Sequence, residues 1–112
     1  MAVVSLEPQR RAETPEGAVR AIVRAQSREG SGIEFASLLS DLAYSVREDE
    51  DGCTSYVVTR MMGSPDHFAV HARFADWRSF EQHAETPHLK RLMPRINALL
   101  AAPFSMEIFL EV

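Results

Sequence analysis

The chain has 112 residues and a mass of 12.6 kDa, which suffices for one folded domain with a single core and is too little for two. Hydrophobic residues make up 46% and charged residues 25% of the sequence, proportions typical of globular proteins, so a disordered, collagen-like or coiled-coil chain is excluded. The net charge of -4 lacks the basic excess that favours phosphate backbones, and we therefore expect no nucleic-acid partner.

The same sequence indicates a chain that neither spans a membrane nor is exported. No apolar run approaches the roughly 20 residues that cross a bilayer. The opening segment MAVVSLEPQRR places an acidic residue and a proline where a secretory signal requires an apolar core. The single cysteine, Cys53, cannot form an internal disulfide. We expect a cytoplasmic protein without a membrane partner.

Residues 1–17 show no sustained periodicity and contain Pro8, Pro15 and Gly17. They predict a flexible N-terminal leader, in which residues 2–6 could form a short strand. The folded domain is expected to occupy residues 18–112.

Alternation of apolar and polar residues over 18–28 predicts a first strand. From Phe35 to Val46 the apolar residues recur at helical spacing, which predicts an amphipathic helix. The helix is expected to end in the acidic turn at residues 48–52.

Two further strands are predicted at residues 53–62 and 67–75, because both segments are rich in β-branched and aromatic residues and turn chemistry separates them. A four-residue loop would place Met62 opposite His67. That register puts the apolar side chains of Val57 and its same-face neighbours in the core, and it gives the other face a mixed set: Tyr56, Val58, Arg60, Met62, His67, Ala69, His71 and Arg73.

Two helices and a last strand complete the pattern. Asp76 can cap a short helix that begins at Trp77, and Thr86 followed by Pro87 is a cap with a first-turn proline that opens a second helix. Apolar residues at helical spacing continue to Leu100. Residues 105–112 alternate again and predict a strand.

The order of elements, β-α-β-β-α-α-β, predicts a ferredoxin-like α+β fold: a four-stranded antiparallel sheet with helices on one face and the last strand beside the first. Charge supports this pairing, because a single register sets Arg20 opposite Glu111 and Arg24 opposite Glu107.

Apolar residues also fall on the sheet face that the helices leave open. Five apolar or aromatic residues lie there in the predicted registers: Ile22, Phe109, Val58, Met62 and Tyr56. We therefore expect a homodimer in which two sheets stack face to face.

Histidines are the side chains that titrate near neutrality, and the chain has four, at positions 67, 71, 83 and 88. His83 and His88 are separated by five positions, which matches neither the HExxH spacing nor an i, i+4 metal pair, so no metal site is expected. No GxSxG sequence indicates a serine nucleophile.

A pocket between helices and sheet is the remaining site hypothesis, with Trp77, Phe80, Met93 and Phe35 as its walls; the alternative is that these side chains are plain core. His88 is the second residue of its predicted helix. The positive end of a helix disfavours protonation there, so a neutral imidazole able to accept a proton is expected.

Four sequence elements carry a resemblance to a known family: the run Gly52–Tyr56 (GCTSY), residues 68–76 (FAVHARFAD), residues 80–83 (FEQH), and Thr86–Leu89 (TPHL). Together they resemble the antibiotic biosynthesis monooxygenases, which are dimeric α+β barrel proteins. The likeness spans roughly residues 18–112. The family usually carries a glutamate and a tryptophan at the positions held here by Ala72 and Phe74.

The resemblance implies a ferredoxin-like protomer paired sheet to sheet, and a cofactor-independent monooxygenase that oxidises a quinol- or anthrone-like aromatic with molecular oxygen. Such chemistry needs a dry pocket, a proton acceptor and stabilisation of the phenolate. The side chains expected to supply these are His88 or His71 as acceptor, Arg60 or Arg73 as anion stabiliser, Trp77 and Phe80 as walls, and Tyr56 and His83 as further substrate contacts.

Two alternatives remain open within the same fold. One is a module that binds a small hydrophobic ligand without turnover, which the absence of a glutamate at Ala72 favours. The other is a protein that binds or degrades haem, with His88 as axial ligand.

Overall fold

The computed structural model describes residues 14–112, which form the predicted order of seven elements. The strands are β1 (Val19–Gln26), β2 (Cys53–Arg60), β3 (His67–Phe74) and β4 (Ser105–Leu110). The helices are α1 (Gly32–Asp49), α2 (Trp77–His83) and α3 (Pro87–Ala98). The short strand expected at residues 2–6 lies outside the described residues.

The sheet is antiparallel throughout, with strand order β2-β3-β1-β4. The last strand therefore lies beside the first, and the predicted ferredoxin-like α+β topology is confirmed. α1 packs on β2 and on α3, and α2 packs on β3. A core forms between the helices and one face of the sheet, and its least exposed members are Val19, Phe35, Val46 and Phe74. We call this the inner face of the sheet and the opposite one the outer face.

The predicted register between β2 and β3 is wrong by one residue. Met61, not Met62, continues the ladder, because its N–H donates to the carbonyl of His67 at 2.8 Å. The loop is therefore one residue longer than expected, and Gly63 occupies the left-handed region in it, at φ 79°.

This slip turns the side chains of residues 55–60 in β2 to the other face. Tyr56 lies opposite Ala72 on the inner face and is only 7% exposed. Val57, expected in the core, lies opposite His71 on the outer face and is 49% exposed.

The predicted register between β1 and β4 is wrong by two residues, which leaves each side chain on its predicted face. Arg20 faces Phe109 and Ile22 faces Glu107 across the strands. The two expected ion pairs nevertheless form on the diagonal, Arg20 with Glu111 at 2.7 Å and Arg24 with Glu107. Long side chains reach diagonal neighbours on a sheet, so charge matching could not distinguish the two registers.

Acid unfolding is expected to depend on Glu111. Hydrogen bonds from Arg73 at 2.8 and 3.0 Å, together with one from Arg20, lower the pKa of the Glu111 carboxyl from 4.5 to about 2. Because the pKa is lower in the folded state, the resulting stability is present above about pH 4.5 and is lost as the pH falls towards 2. Urea unfolding followed across this window should show a smaller loss of stability in Glu111→Gln than in the wild type. Equal losses in the two proteins would contradict the assignment, and the exposed Glu48→Gln serves as the matched control.

Candidate functional site

A cavity of about 620 Å³ lies between the inner face of the sheet and the helices. Its lining is mostly apolar, and it includes all four residues that the sequence proposed as walls: Phe35, Trp77, Phe80 and Met93. The side of the cavity next to β4 is formed by Phe104, Met106 and Ile108. The volume lies within the range of small-molecule sites, which extends from about 300 to 1,000 Å³.

Helix α2 provides the aromatic wall. Its start is fixed by Asp76, whose carboxylate accepts a hydrogen bond from the Ser79 N–H at 2.8 Å, as predicted. The ring centroids of Trp77 and Phe80 are 5.3 Å apart. The turn before β2 packs so closely on this helix that a Cβ atom at Gly52 would lie 2.1 Å from the Ser79 hydroxyl. Glycine at position 52 therefore allows the end of α1 to approach α2.

Three helix ends meet at a buried cluster of Glu50, His83 and His88, which we call the Glu–His cluster. Glu50 directly follows α1, His83 is the last residue of α2, and His88 is the second residue of α3. The Nδ1 atom of His83 lies 3.0 and 2.9 Å from the two carboxylate oxygens of Glu50. On the other side, Nε2 of His88 lies 2.5 Å from Glu50 Oε2.

The Thr86 hydroxyl links the two helices, α2 and α3, that carry the histidines of the cluster. Thr86 precedes α3 as expected, but its side chain does not cap that helix; the Thr86 hydroxyl instead donates to the carbonyl of His83 at 2.8 Å. Thr86 thus joins the end of α2 to the start of α3. The short link brings His83 and His88 to the same carboxylate.

Burial determines the hydrogen-bond roles within the cluster. The side chains of His83, Glu50 and His88 are 15%, 9% and 6% exposed. A buried carboxylate requires hydrogen-bond donors, and an ionised carboxylate only accepts, so both imidazoles donate to Glu50. In a neutral His83 whose Nδ1 carries the proton, Nε2 holds the free lone pair. Since His83 also lines the cavity, it is the histidine suited to accept a proton from a ligand.

Two aromatic side chains flank His83. The ring centroid of Tyr56 lies 5.7 Å from that of His83, and the centroid of Phe74 lies 5.3 Å from it. Tyr56 lines the cavity, and burial raises the pKa of its phenol. Tyr56 therefore stays protonated and offers a hydrogen-bond donor to a ligand oxygen.

Some of the site residues proposed from the sequence line the cavity, and others do not. Trp77, Phe80, Tyr56 and His83 line the cavity together. His88 adjoins it through Glu50 but does not line it.

The other three proposed side chains lie elsewhere. His71 and Arg73 project from the outer face, where His71 contacts Thr59 and Arg73 binds Glu111. The guanidinium of Arg60 lies 5.2 Å from the ring centroid of Phe68, outside the lining. None of the three borders the cavity.

Glu50 is the functional candidate that the sequence did not single out. The sequence indicates only that Glu50 belongs to an acidic turn. Its partners His83 and His88 lie 33 and 38 positions away, so no local spacing indicated the contact. Within residues 14–112, no group of three or more His, Cys, Asp or Glu side chains is arranged to hold a metal ion.

Fold and site together define an α+β domain with an apolar ligand cavity and a histidine held by a buried carboxylate. The family model for antibiotic biosynthesis monooxygenases matches residues 18–95. The chain belongs to this family, as its motifs indicated.

Solved structures show the same fold. A Caulobacter crescentus protein assigned to the antibiotic biosynthesis monooxygenases shares 21% identity with a TM-score of 0.83, over 88% of this chain and 93% of that one. A conserved protein from Methanosarcina mazei shares 23% identity with a TM-score of 0.78, over 85% and 93% of the two chains. The Pseudomonas aeruginosa protein PA3566 shares 20% identity with a TM-score of 0.78, over 87% of this chain and 96% of that one. No curated protein matches the sequence.

In the part of the chain that the structure describes, no helix combines the length and the apolar character needed to cross a membrane.

Proposed function

We propose that this protein is a monooxygenase that oxidises a quinol- or anthrone-like aromatic with molecular oxygen and needs no bound cofactor. One observation carries the proposal: His83 lies between an apolar cavity and a buried carboxylate. A histidine so oriented by a carboxylate is the usual arrangement of a general base.

The cavity supports a polycyclic aromatic substrate. Its walls are predominantly hydrophobic and aromatic, and Trp77 and Phe80 present adjacent rings. Flat aromatic molecules pack well on such rings. The neutral phenol of Tyr56 supplies one polar contact that can orient a substrate oxygen.

The chemistry begins with proton transfer. An acidic proton of the substrate passes to Nε2 of His83, and the imidazolium that forms is stabilised by the Glu50 carboxylate at Nδ1. The electron-rich anion can then reduce dioxygen directly, so all electrons come from the substrate. For an anthrone, the methylene carbon gains one oxygen atom and becomes a carbonyl. The second oxygen atom leaves as water with the two methylene hydrogens, which balances the reaction without an external reductant.

Oxygen consumption tests the proposal. An oxygen electrode with a panel of quinols and anthrones should record saturable uptake above the protein-free rate, with one dioxygen consumed per product formed. Saturable binding of the same compounds without oxygen uptake would support the ligand-binding alternative instead. The haem alternative gains no support from His88, because Nε2 of that residue is engaged by Glu50 and the side chain does not line the cavity.

We propose in addition that two copies of the chain pair through the outer faces of their sheets. Val57 and Phe109 are 49% and 50% exposed there, and Ile22 lies between their strands. Stacked sheets would bury these side chains. Antiparallel β-sheet proteins cover one face with helices and leave the other to solvent or to a partner, and apolar residues favour the partner.

Val57→Asp is expected to convert a dimer into a monomer, because the carboxylate would be buried without a partner between the sheets. Light scattering should give twice 12.6 kDa for the wild type and 12.6 kDa for the variant. Ile33→Asp changes an exposed residue of α1, and this control variant should have the same dimer mass as the wild type. A wild-type mass of 12.6 kDa would contradict the dimer.

A further inference from the structure

The acidic and basic residues of the described cavity lining are of one sign. Among the residues described, the lining contains two glutamates, Glu81 and Glu85, and neither arginine nor lysine. A third carboxylate, Glu50, lies directly behind His83. A ligand in the cavity therefore meets carboxylates at the rim and behind the proposed base.

Three cations on the elements that surround the cavity are engaged elsewhere. Lys90 pairs with Glu85 at 3.2 Å, and both side chains are mostly exposed, so solvent screens this pair. Arg47 donates to the backbone carbonyl of Tyr56 at 3.1 Å. The guanidinium of Arg60 stacks on Phe68 outside the lining. None of these groups offers a counter-charge inside the cavity.

We infer that the cavity selects uncharged phenols and rejects the same ring system when it carries a carboxylate. This inference rests on the proposed function, since it names the substrate class of the same site. An anion that enters an apolar cavity loses its hydration, and here no cation of the lining compensates for the loss. Glu81 and Glu85 add repulsion at the rim.

Charge selection is also consistent with the proposed proton transfer. A neutral phenol brings no net charge, and moving its proton to His83 creates an anion beside a cation. The net charge of the cavity stays the same through that step. A substrate that already carries a carboxylate would leave one negative charge without a partner.

A matched pair of probes tests the inference: a hydroxynaphthoic acid, which is ionised at neutral pH, and the corresponding hydroxynaphthamide, which has almost the same shape and no charge. Equilibrium dialysis without oxygen measures binding alone. We expect the amide to bind about tenfold more tightly or better, a difference of the size that one uncompensated charge produces. Trp77 is the only tryptophan of the chain and lines the cavity, so its fluorescence reports whether the amide occupies this site.

Two double variants, each of which removes two carboxylate charges, test the role of the rim glutamates. Glu81→Gln combined with Glu85→Gln should reduce the preference for the amide severalfold. Glu34→Gln combined with Glu48→Gln, at two exposed positions of α1 outside the lining, should keep the preference of the wild type.

Each outcome bears on the inference. Equal binding of the two probes, tighter binding of the acid, or no binding of either would overturn it. A preference that the double variant leaves intact would overturn the role of Glu81 and Glu85. Binding is measured without turnover, so selective binding of the amide would support the inference even if oxygen uptake with all phenols were absent and the proposed oxidation failed.

Discussion

Replacing His83 with glutamine is expected to lower the rate of oxygen consumption about 10²–10⁴-fold, the usual contribution of a general base. Glutamine retains hydrogen-bonding capacity near the Glu50 carboxylate but cannot take up a proton at neutral pH. The substrate would still enter the cavity, because the apolar walls around Trp77 and Phe80 remain. We therefore expect kcat to fall and the dissociation constant of a neutral phenol to change little.

Two further histidine variants make this test specific. His67→Gln changes a histidine of β3 that bonds Ser64 and does not line the cavity, and it should keep the rate of the wild type. His71→Gln addresses the acceptor that the sequence proposed on the outer face. A large loss in His71→Gln with a normal rate in His83→Gln would refute the role given to His83.

Glu50→Gln is expected to lower kcat about 10²–10³-fold, within the range that a misoriented or unsupported general base loses. An amide oxygen at the place of Oε2 can still accept from both imidazoles, but it carries no charge, and the amide NH₂ group at the place of Oε1 then opposes the N–H of His83. His83 would lose its fixed orientation and the anion that stabilises its protonated form.

A fall in kcat with little change in the dissociation constant of a neutral phenol separates a positioning role of Glu50 from a merely structural one. Unfolding in urea measures how much stability the variant loses, and Glu48→Gln, at an exposed position of α1, controls for the loss of one carboxylate. A rate reduced only in proportion to the folded fraction would show that Glu50 has no role in positioning His83.

The elements of the fold could be read from periodicity. The alternation that begins at residue 18 and the helical spacing from Phe35 to Val46 depend only on which side of each element meets the core, and the structure has both elements there. The same is true of the sheet order, since the charges on β1 and β4 indicated their pairing.

The registers could not be read from the same information. The choice for β2 depended on whether one loop residue belongs to the ladder, and Met61 and Met62 are chemically identical. Only the hydrogen bond from the Met61 N–H to His67 decides between them. The consequence for the site is large, because the true register brings Tyr56 into the cavity.

No sequence pattern indicated that Glu50 supplies the carboxylate of the site. The family resemblance implied a glutamate on β3, where this chain has Ala72. Ala72 lies opposite Tyr56 and two positions before Phe74, and both of those rings contact His83. A carboxylate reaches His83 all the same, from Glu50 after α1. The absence of a glutamate at position 72 therefore does not deprive this histidine of a carboxylate partner.

A crystal structure of the protein with a neutral polycyclic phenol tests the central claim most directly. We expect the ring system in the cavity beside Trp77 and Phe80, with an oxygen or the acidic carbon of the ligand next to Nε2 of His83 while Nδ1 remains bonded to Glu50. A ligand bound on the outer face, or one in the cavity with His83 turned away from it, would contradict the account.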